Sequence, residues 1–66
     1  MEDKIIKLLE VLITSKDIME LVYTISIKDN NILLYTTDPY EVMTILQCIS
    51  VYAEHKDNTT VVNVLL

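Results

Sequence analysis

The chain has 66 residues, a formal net charge of −5 and a hydrophobic content of 52%. A domain this short is marginally stable without a disulfide, a metal or a partner, and its single cysteine, Cys48, excludes an internal disulfide. Ten acidic residues accompany five lysines and no arginine, which argues against direct nucleic-acid binding because phosphate contacts need clustered cations.

The first predicted element is an amphipathic helix over residues 2–15. The apolar side chains that recur there at helical spacing are Ile5, Leu8, Leu9 and Leu12. This spacing places them on one face of the helix. Ile6 and Ile13 widen that face, so we expect the helix to contact two neighbours at once.

A β-strand is predicted next, over residues 19–28. Its alternating apolar side chains are Leu21, Tyr23, Ile25 and Ile27, and alternation of this kind is typical of a half-buried strand. The segment Asp-Asn-Asn at 29–31 follows. Because Asp and Asn tolerate positive φ angles, this segment predicts a tight hairpin turn.

The second strand of the hairpin is predicted over residues 31–37. A loop with an even number of residues places Ile32 and Leu34 on the apolar face of the first strand. Leu33 and Tyr35 then emerge on the opposite face, which is therefore mixed in character rather than purely polar.

A second helix is predicted to begin at Pro39 and to run to about Glu54 or His55. Asp38 can cap the free amides, and Pro39 suits the first helical position. Glu41 completes a pattern that resembles a capping box.

A terminal strand is predicted over residues 59–66. Its apolar residues are Val61, Val62, Val64, Leu65 and Leu66. Because they would occupy both faces, the strand is expected to be covered on both sides or to lie at an edge.

These elements predict one α+β domain over residues 1–66, in the order α-β-β-α-β. The natural packing is a three-stranded antiparallel sheet with two helices on one face. Such a sheet leaves two open edges and one partly apolar face, and both favour pairing with another chain. The residues that we predict to form a partner interface are Leu33, Tyr35, Tyr40, Val61, Val62, Val64, Leu65 and Leu66.

Two side chains, Cys48 and His55, could in principle carry chemistry. We interpret His55 as a cap at the C-terminus of the second helix or as a solvated residue, and Cys48 as a small, partly buried side chain. Neither has a third group to orient it for catalysis, and together they are too few to bind structural zinc. The chain has no glycine, so glycine-dependent phosphate loops are excluded. We therefore expect a protein without enzymatic activity, cofactor or metal.

The sequence also bears on location. No apolar run approaches the roughly 18 residues that a membrane span requires. The acidic start at residues 1–4 is unlike the basic beginning of a signal peptide. We therefore expect a cytoplasmic protein that is not attached to a membrane.

From Met19 onward the chain resembles the small dimerisation subunit of the KEOPS complex, the CTAG/Pcc family. The resemblance lies in the first strand, the polar turn at 29–31, a second strand that ends in Thr37-Asp38, the helix over 42–55 and the closing aliphatic strand. The preceding helix also matches in position. The chain departs from the family pattern in having no strand ahead of the first helix.

The second helix departs from the family pattern as well. Met43 and Val51 stand where the family carries arginines, and Gln47-Cys48 stands where it carries an Asn-Ser pair. These differences argue against a basic, tRNA-related role for this helix.

The resemblance implies an accessory role in the complex that makes the threonylcarbamoyladenosine modification of tRNA. Such subunits hold no catalytic residues and pair through their sheets. It therefore predicts a non-catalytic subunit that forms a heterodimer with a related small subunit, or a homodimer with itself, and so regulates assembly of the complex.

Other classes of function stay open from the sequence. The first alternative is a small acidic inhibitor, encoded by a virus or plasmid, that binds a host protein as a homodimer. An RNA-binding module is a third hypothesis, because helix-on-sheet domains of this size often bind RNA. An enzyme is the fourth, and it rests on Cys48 and His55 alone.

Overall fold

The computed structural model describes residues 3–56 and 59–65. In chain order the elements are α1 (Asp3–Thr14), α2 (Lys16–Leu21), β1 (Val22–Lys28), β2 (Asn31–Thr36), α3 (Pro39–Cys48), β3 (Ala53–His55) and β4 (Val61–Val64). The strands form one antiparallel sheet in the order β1-β2-β4-β3. The α+β class is confirmed. The prediction of three strands is wrong, because the described residues contain four, and the element order differs accordingly.

The β1–β2 hairpin follows the register predicted from the alternation. Ile27 pairs with Ile32, and Ile25 pairs with Leu34, so the apolar residues of both strands share one face. The turn is made by Asp29 and Asn30, with φ angles of 52° and 64°. Two consecutive positive φ angles are the signature of the hairpin turn whose twist matches that of the flanking strands.

The beginning of the first strand was predicted incorrectly. Residues 16–21 form the short helix α2, which buries Ile18, and β1 starts only at Val22. An irregularity between Val22 and Thr24 then inserts one residue into the pairing with β2. As a result Val22 points into the core and Tyr23 is 62% exposed, the reverse of the predicted alternation, because a β-bulge shifts the phase of the strand by one residue.

Helix α3 begins as predicted. The Asp38 carboxylate accepts a hydrogen bond from the Glu41 amide at 3.2 Å, and Pro39 occupies the first turn. The Asp38 amide donates to the Thr36 hydroxyl at 3.0 Å. In a full capping box this amide donates to the Glu41 side chain instead, so Thr36 replaces Glu41 as the acceptor.

Helix α3 ends at Cys48, about two turns before the predicted end. The Val51 amide donates to the Leu46 carbonyl at 2.9 Å, and the Ser50 amide donates to the Gln47 carbonyl at 3.1 Å. These two bonds form a Schellman motif, with Ser50 at a φ of 59°. Residues 53–55, predicted as helix, instead form the edge strand β3.

The aliphatic strand β4 lies inside the sheet, between β2 and β3. Val62 and Val64 are completely buried, whereas Val61 and Asn63 alternate with them and are half-buried. Both edges of this strand are therefore paired, while only the face of Val62 and Val64 is covered by the helices.

One face of the sheet packs against the helices and forms the core. The buried apolar residues are Ile5, Leu12, Ile18, Val22, Ile32, Leu34, Val42, Leu46, Val62 and Val64. Thr36 is the buried polar side chain among them, and its hydroxyl donates to the Leu21 carbonyl at 2.6 Å. The opposite face of the sheet therefore faces away from all three described helices.

Candidate interaction surface

The sheet face that points away from the helices is the candidate site, and we call it the open face. Its central residues are Tyr23, Leu33, Tyr35, Val61 and Asn63. Their position follows from the register, in which Leu33 pairs with Asn63 and Tyr35 pairs with Val61, because directly paired residues share a face. Residues from three strands, β1, β2 and β4, therefore surround an apolar centre on this face.

An aromatic pair lies at one side of the open face. The rings of Tyr23 and Tyr35 have centroids 6.5 Å apart and planes inclined by 56°, a tilted arrangement that aromatic pairs favour. Tyr23 reaches this position because the bulge at the start of β1 turns it out of the core. Two tyrosines with apolar bodies and polar tips are typical anchors of protein interfaces.

A shallow groove of about 300 Å³ runs across the same face. Its lining residues are Leu33, Tyr35, Lys56, Thr59, Val61 and Asn63. The apolar floor therefore carries one cation at its border, supplied by the segment that joins β3 to β4.

Asn63 is a polar residue in an otherwise apolar row. Its side-chain amide lies 3.5 Å from the Glu54 carboxylate, which is a long contact, and its buried Oδ1 has no hydrogen-bond partner among the described residues. An unpaired buried acceptor generally costs roughly 1–3 kcal/mol, and a donor from a partner chain would satisfy it.

Within the part of the chain that the structure describes, the sheet also has two free edges. β1 presents an edge of seven residues, and β3 presents an edge of three. A long edge strand offers unpaired backbone groups to a further strand, whereas a very short one does not. Pairing by strand addition is therefore more favourable along β1, and not along the terminal strand, which lies inside the sheet.

The residues predicted to form the interface are divided by the structure between different regions. Leu33, Tyr35 and Val61 lie together on the open face. Val62 and Val64 are fully buried under the helices, so they cannot contact a partner without unfolding.

The other three predicted interface residues lie elsewhere. Tyr40 is 72% exposed at the beginning of α3, and Leu65 is exposed just beyond β4. Leu66 lies outside the described residues. Tyr23 and Asn63 were missed by the sequence prediction, because only the bulge and the strand pairing bring them to this face.

His55 and Cys48 do not approach a shared site. The Nε2 atom of His55 lies 2.8 Å from the Thr59 carbonyl, and its ring stacks edge-on against Tyr40 with centroids 5.2 Å apart. His55 is in β3 and not at a helix end, so its interpretation as a helix cap is wrong. Cys48 is exposed and not partly buried as predicted, because it lies on the side of α3 away from the buried Val42 and Leu46.

Within residues 3–56 and 59–65, no three His, Cys, Asp or Glu side chains are grouped so that they could hold a metal ion. In the same part of the chain, no helix has both the length and the apolar character needed to cross a membrane.

Comparison with known proteins identifies no relative. No family model matches the chain, and neither a curated protein nor a solved structure matches it.

Proposed function

We propose that this protein is a non-catalytic interaction subunit that pairs with another protein chain through its open face. The observation that carries the proposal is the cluster of Tyr23, Leu33, Tyr35 and Val61 on a sheet face that no described helix covers. Apolar and aromatic residues gathered on one exposed surface are typical of protein interaction sites.

The size of the chain is compatible with this function. Its accessible surface is 4560 Å², and a standard interface buries about 800 Å² on each partner, about a sixth of that area. Tyr23 is 62% exposed and Tyr35 is half-buried in the free chain, so both tyrosines have apolar area left to bury on association.

The polar residues on the open face favour a transient complex, from which the partner can dissociate, rather than a permanent complex. Thr24 and Ser26 lie beside the apolar centre, paired with Tyr35 and Leu33, and Asn63 interrupts it. Interfaces of non-obligate complexes have this mixed composition, whereas permanent ones are more apolar.

For the identity of the partner, we propose a small subunit of the KEOPS complex or a second copy of this chain. Support comes from the order of α1, the β1–β2 hairpin, the Thr37-Asp38 junction, α3 and the closing aliphatic strand, on which the resemblance rests. α2 and β3 are additions to that order. This proposal implies a cytoplasmic protein that regulates assembly of the modification complex and performs no chemistry.

The proposal is tested by affinity purification of the tagged chain from its native host, with identification of bound proteins by mass spectrometry. We expect a small KEOPS subunit to be recovered with the wild-type chain. The variant Tyr23→Ser should lose that subunit. The variant Tyr40→Ser should retain it, because Tyr40 is even more exposed than Tyr23 but lies on α3, away from the open face.

Two results would contradict different parts of the proposal. Recovery of a host enzyme without any KEOPS subunit would favour the hypothesis of an acidic inhibitor. It would refute the KEOPS assignment but not the open face as the interface. Equal recovery of partners with Tyr23→Ser and with wild type would refute the open face as the interface.

A further inference from the structure

A second concave surface lies on the helical side of the molecule, and we call it the α1 groove. One wall is formed by Lys4, Lys7, Leu8 and Val11 of α1, and the other by Ser50, Val51, Tyr52 and Leu65. The groove has a volume of about 350 Å³. None of the five residues that define the open face lines it.

The two walls are fixed by the fold. Lys4, Leu8 and Val11 follow one another at intervals of four and three residues, which places them along one flank of α1. On the other side, the Leu65 amide donates to the Tyr52 carbonyl at 2.8 Å. This backbone bond holds the second wall in place beyond the ends of β3 and β4.

The charge of the groove differs from that of the chain. The chain carries a formal charge of −5, yet among residues 3–56 and 59–65 the groove is lined by two lysines and by no Asp or Glu side chain. Acidic residues line a different hollow, formed by Asp17, Glu20 and Glu41. The α1 groove is therefore complementary to a ligand that is apolar and negatively charged.

The shape of the groove favours a peptide over a small molecule. The groove is open along one side, whereas small-molecule sites enclose most of the ligand surface. A peptide segment can place apolar side chains in an open groove and leave its charged neighbours at the rim. Val11 and Leu65, both close to half exposed, would contact the apolar side chains.

We propose that the α1 groove binds a short segment of a partner protein in which large apolar residues are flanked by Asp or Glu. The apolar residues occupy the space between Val11 and Leu65, and the carboxylate pairs with Lys4 or Lys7. This goes beyond the pairing through the open face, since the two surfaces are separate and one chain could hold two partners at once.

The test begins with selection of a phage-displayed random-peptide library on the immobilised full chain. We expect the selected peptides to share an acidic residue next to large apolar ones. Synthetic copies of them are then titrated against purified variants by fluorescence anisotropy. Their binding to wild type should weaken as salt rises, because exposed charge pairs are screened.

Two pairs of variants locate the binding. Val11→Asp should weaken binding at least about tenfold, while Ile13→Asp, the same change on the other flank of α1, should leave it within about twofold. Both residues are about half exposed, so neither change is expected to unfold the chain, which circular dichroism would verify. The double variant Lys4→Glu/Lys7→Glu should likewise weaken binding about tenfold, and Lys16→Glu/Lys28→Glu should not.

Three outcomes would overturn the proposal. The first is that no acidic and apolar pattern is selected. The second is that Val11→Asp and Ile13→Asp bind the selected peptides equally well. The third is that Tyr23→Ser, a change on the open face, abolishes their binding. That result would place the peptides on the open face, and it would not contradict the proposal that the chain pairs with a partner through that face.

Discussion

Thr36 joins four elements of the fold through one small side chain and its backbone. Its hydroxyl donates to the Leu21 carbonyl at the end of α2 and accepts from the Asp38 amide at the start of α3. Its own amide donates to the Thr60 carbonyl just before β4, at 2.8 Å. Since Thr36 itself is completely buried, its hydroxyl and amide depend on these protein partners.

The variant Thr36→Val is expected to lower the free energy of unfolding by about 1–3 kcal/mol. Valine has nearly the same shape but leaves the Leu21 carbonyl and the Asp38 amide without a partner, and the cost of such orphaned groups has this size. Urea denaturation followed by circular dichroism measures the change. The neighbouring Thr37→Val is the control: Thr37 is exposed, so its substitution should change stability by less than about 0.5 kcal/mol. Equal effects at the two positions would contradict the role assigned to the Thr36 hydroxyl.

Residues whose role depends on local geometry were predictable from the sequence, and residues whose role depends on distant partners were not. Asn30 and Asp38 have side chains that suit a hairpin turn and a helix N-cap wherever they occur. Thr36 shows no such local signal, because its partner Leu21 is 15 positions away. Tyr23 follows an apolar alternation that the bulge reverses, so its exposure was unpredictable for the same reason.

At the scale of the elements, the end of α3 determines how many strands the sheet has. Ser50 adopts a φ of 59°, a conformation that costs most residues roughly 1–2 kcal/mol and costs glycine almost nothing. The chain contains no glycine, so the usual sequence signal for a helix end was missing and the helix was predicted to continue. Because the helix ends and the chain changes direction at Ser50, residues 53–55 can pair with β4 as a strand.

The variant Ser50→Gly is therefore expected to stabilise the protein, by about 0.5–1 kcal/mol. Glycine relieves the strain at the helix end and keeps both hydrogen bonds of the motif, while its greater freedom in the unfolded chain cancels part of the gain. The midpoint of urea denaturation should rise at constant slope. As a control, Ser26→Gly makes the same chemical change inside β1, where glycine weakens a strand, and it should destabilise the protein. A lower midpoint for Ser50→Gly would mean that the serine contributes something other than its backbone conformation.

The candidate site was predictable in part, and the limit is set by strand order. Leu33 and Tyr35 were assigned to the mixed face because a hairpin register depends on a short turn alone. Val62 and Val64 were assigned to the interface because an aliphatic strand at the end of a sequence resembles an edge strand. Its placement between β2 and β3 depends on a pairing across about 30 residues of chain, for which the sequence carries no local signal.

At the scale of the whole molecule, the described helices all lie on the same side of the sheet. The core occupies one side of the sheet, and the other side carries tyrosine, leucine and valine with no described helix over them. The helices and the sheet are the two layers of the domain, and the apolar centre of the open face favours association with another chain. A second copy of the chain, placed face to face, would cover it.

We therefore expect the stability of the purified chain to depend on its own concentration. For a dimer that dissociates on unfolding, a hundredfold increase in concentration adds about 2.7 kcal/mol of stability. The midpoint of urea denaturation should rise accordingly between about 2 μM and 200 μM, and light scattering should show the mass of two chains at the upper concentration. The double variant Tyr23→Ser/Tyr35→Ser should unfold at the same midpoint at both concentrations, while Tyr40→Ser should behave as wild type. A wild-type chain that stays monomeric at the upper concentration with an unchanged midpoint would contradict self-pairing and would leave a different chain as the partner of the open face.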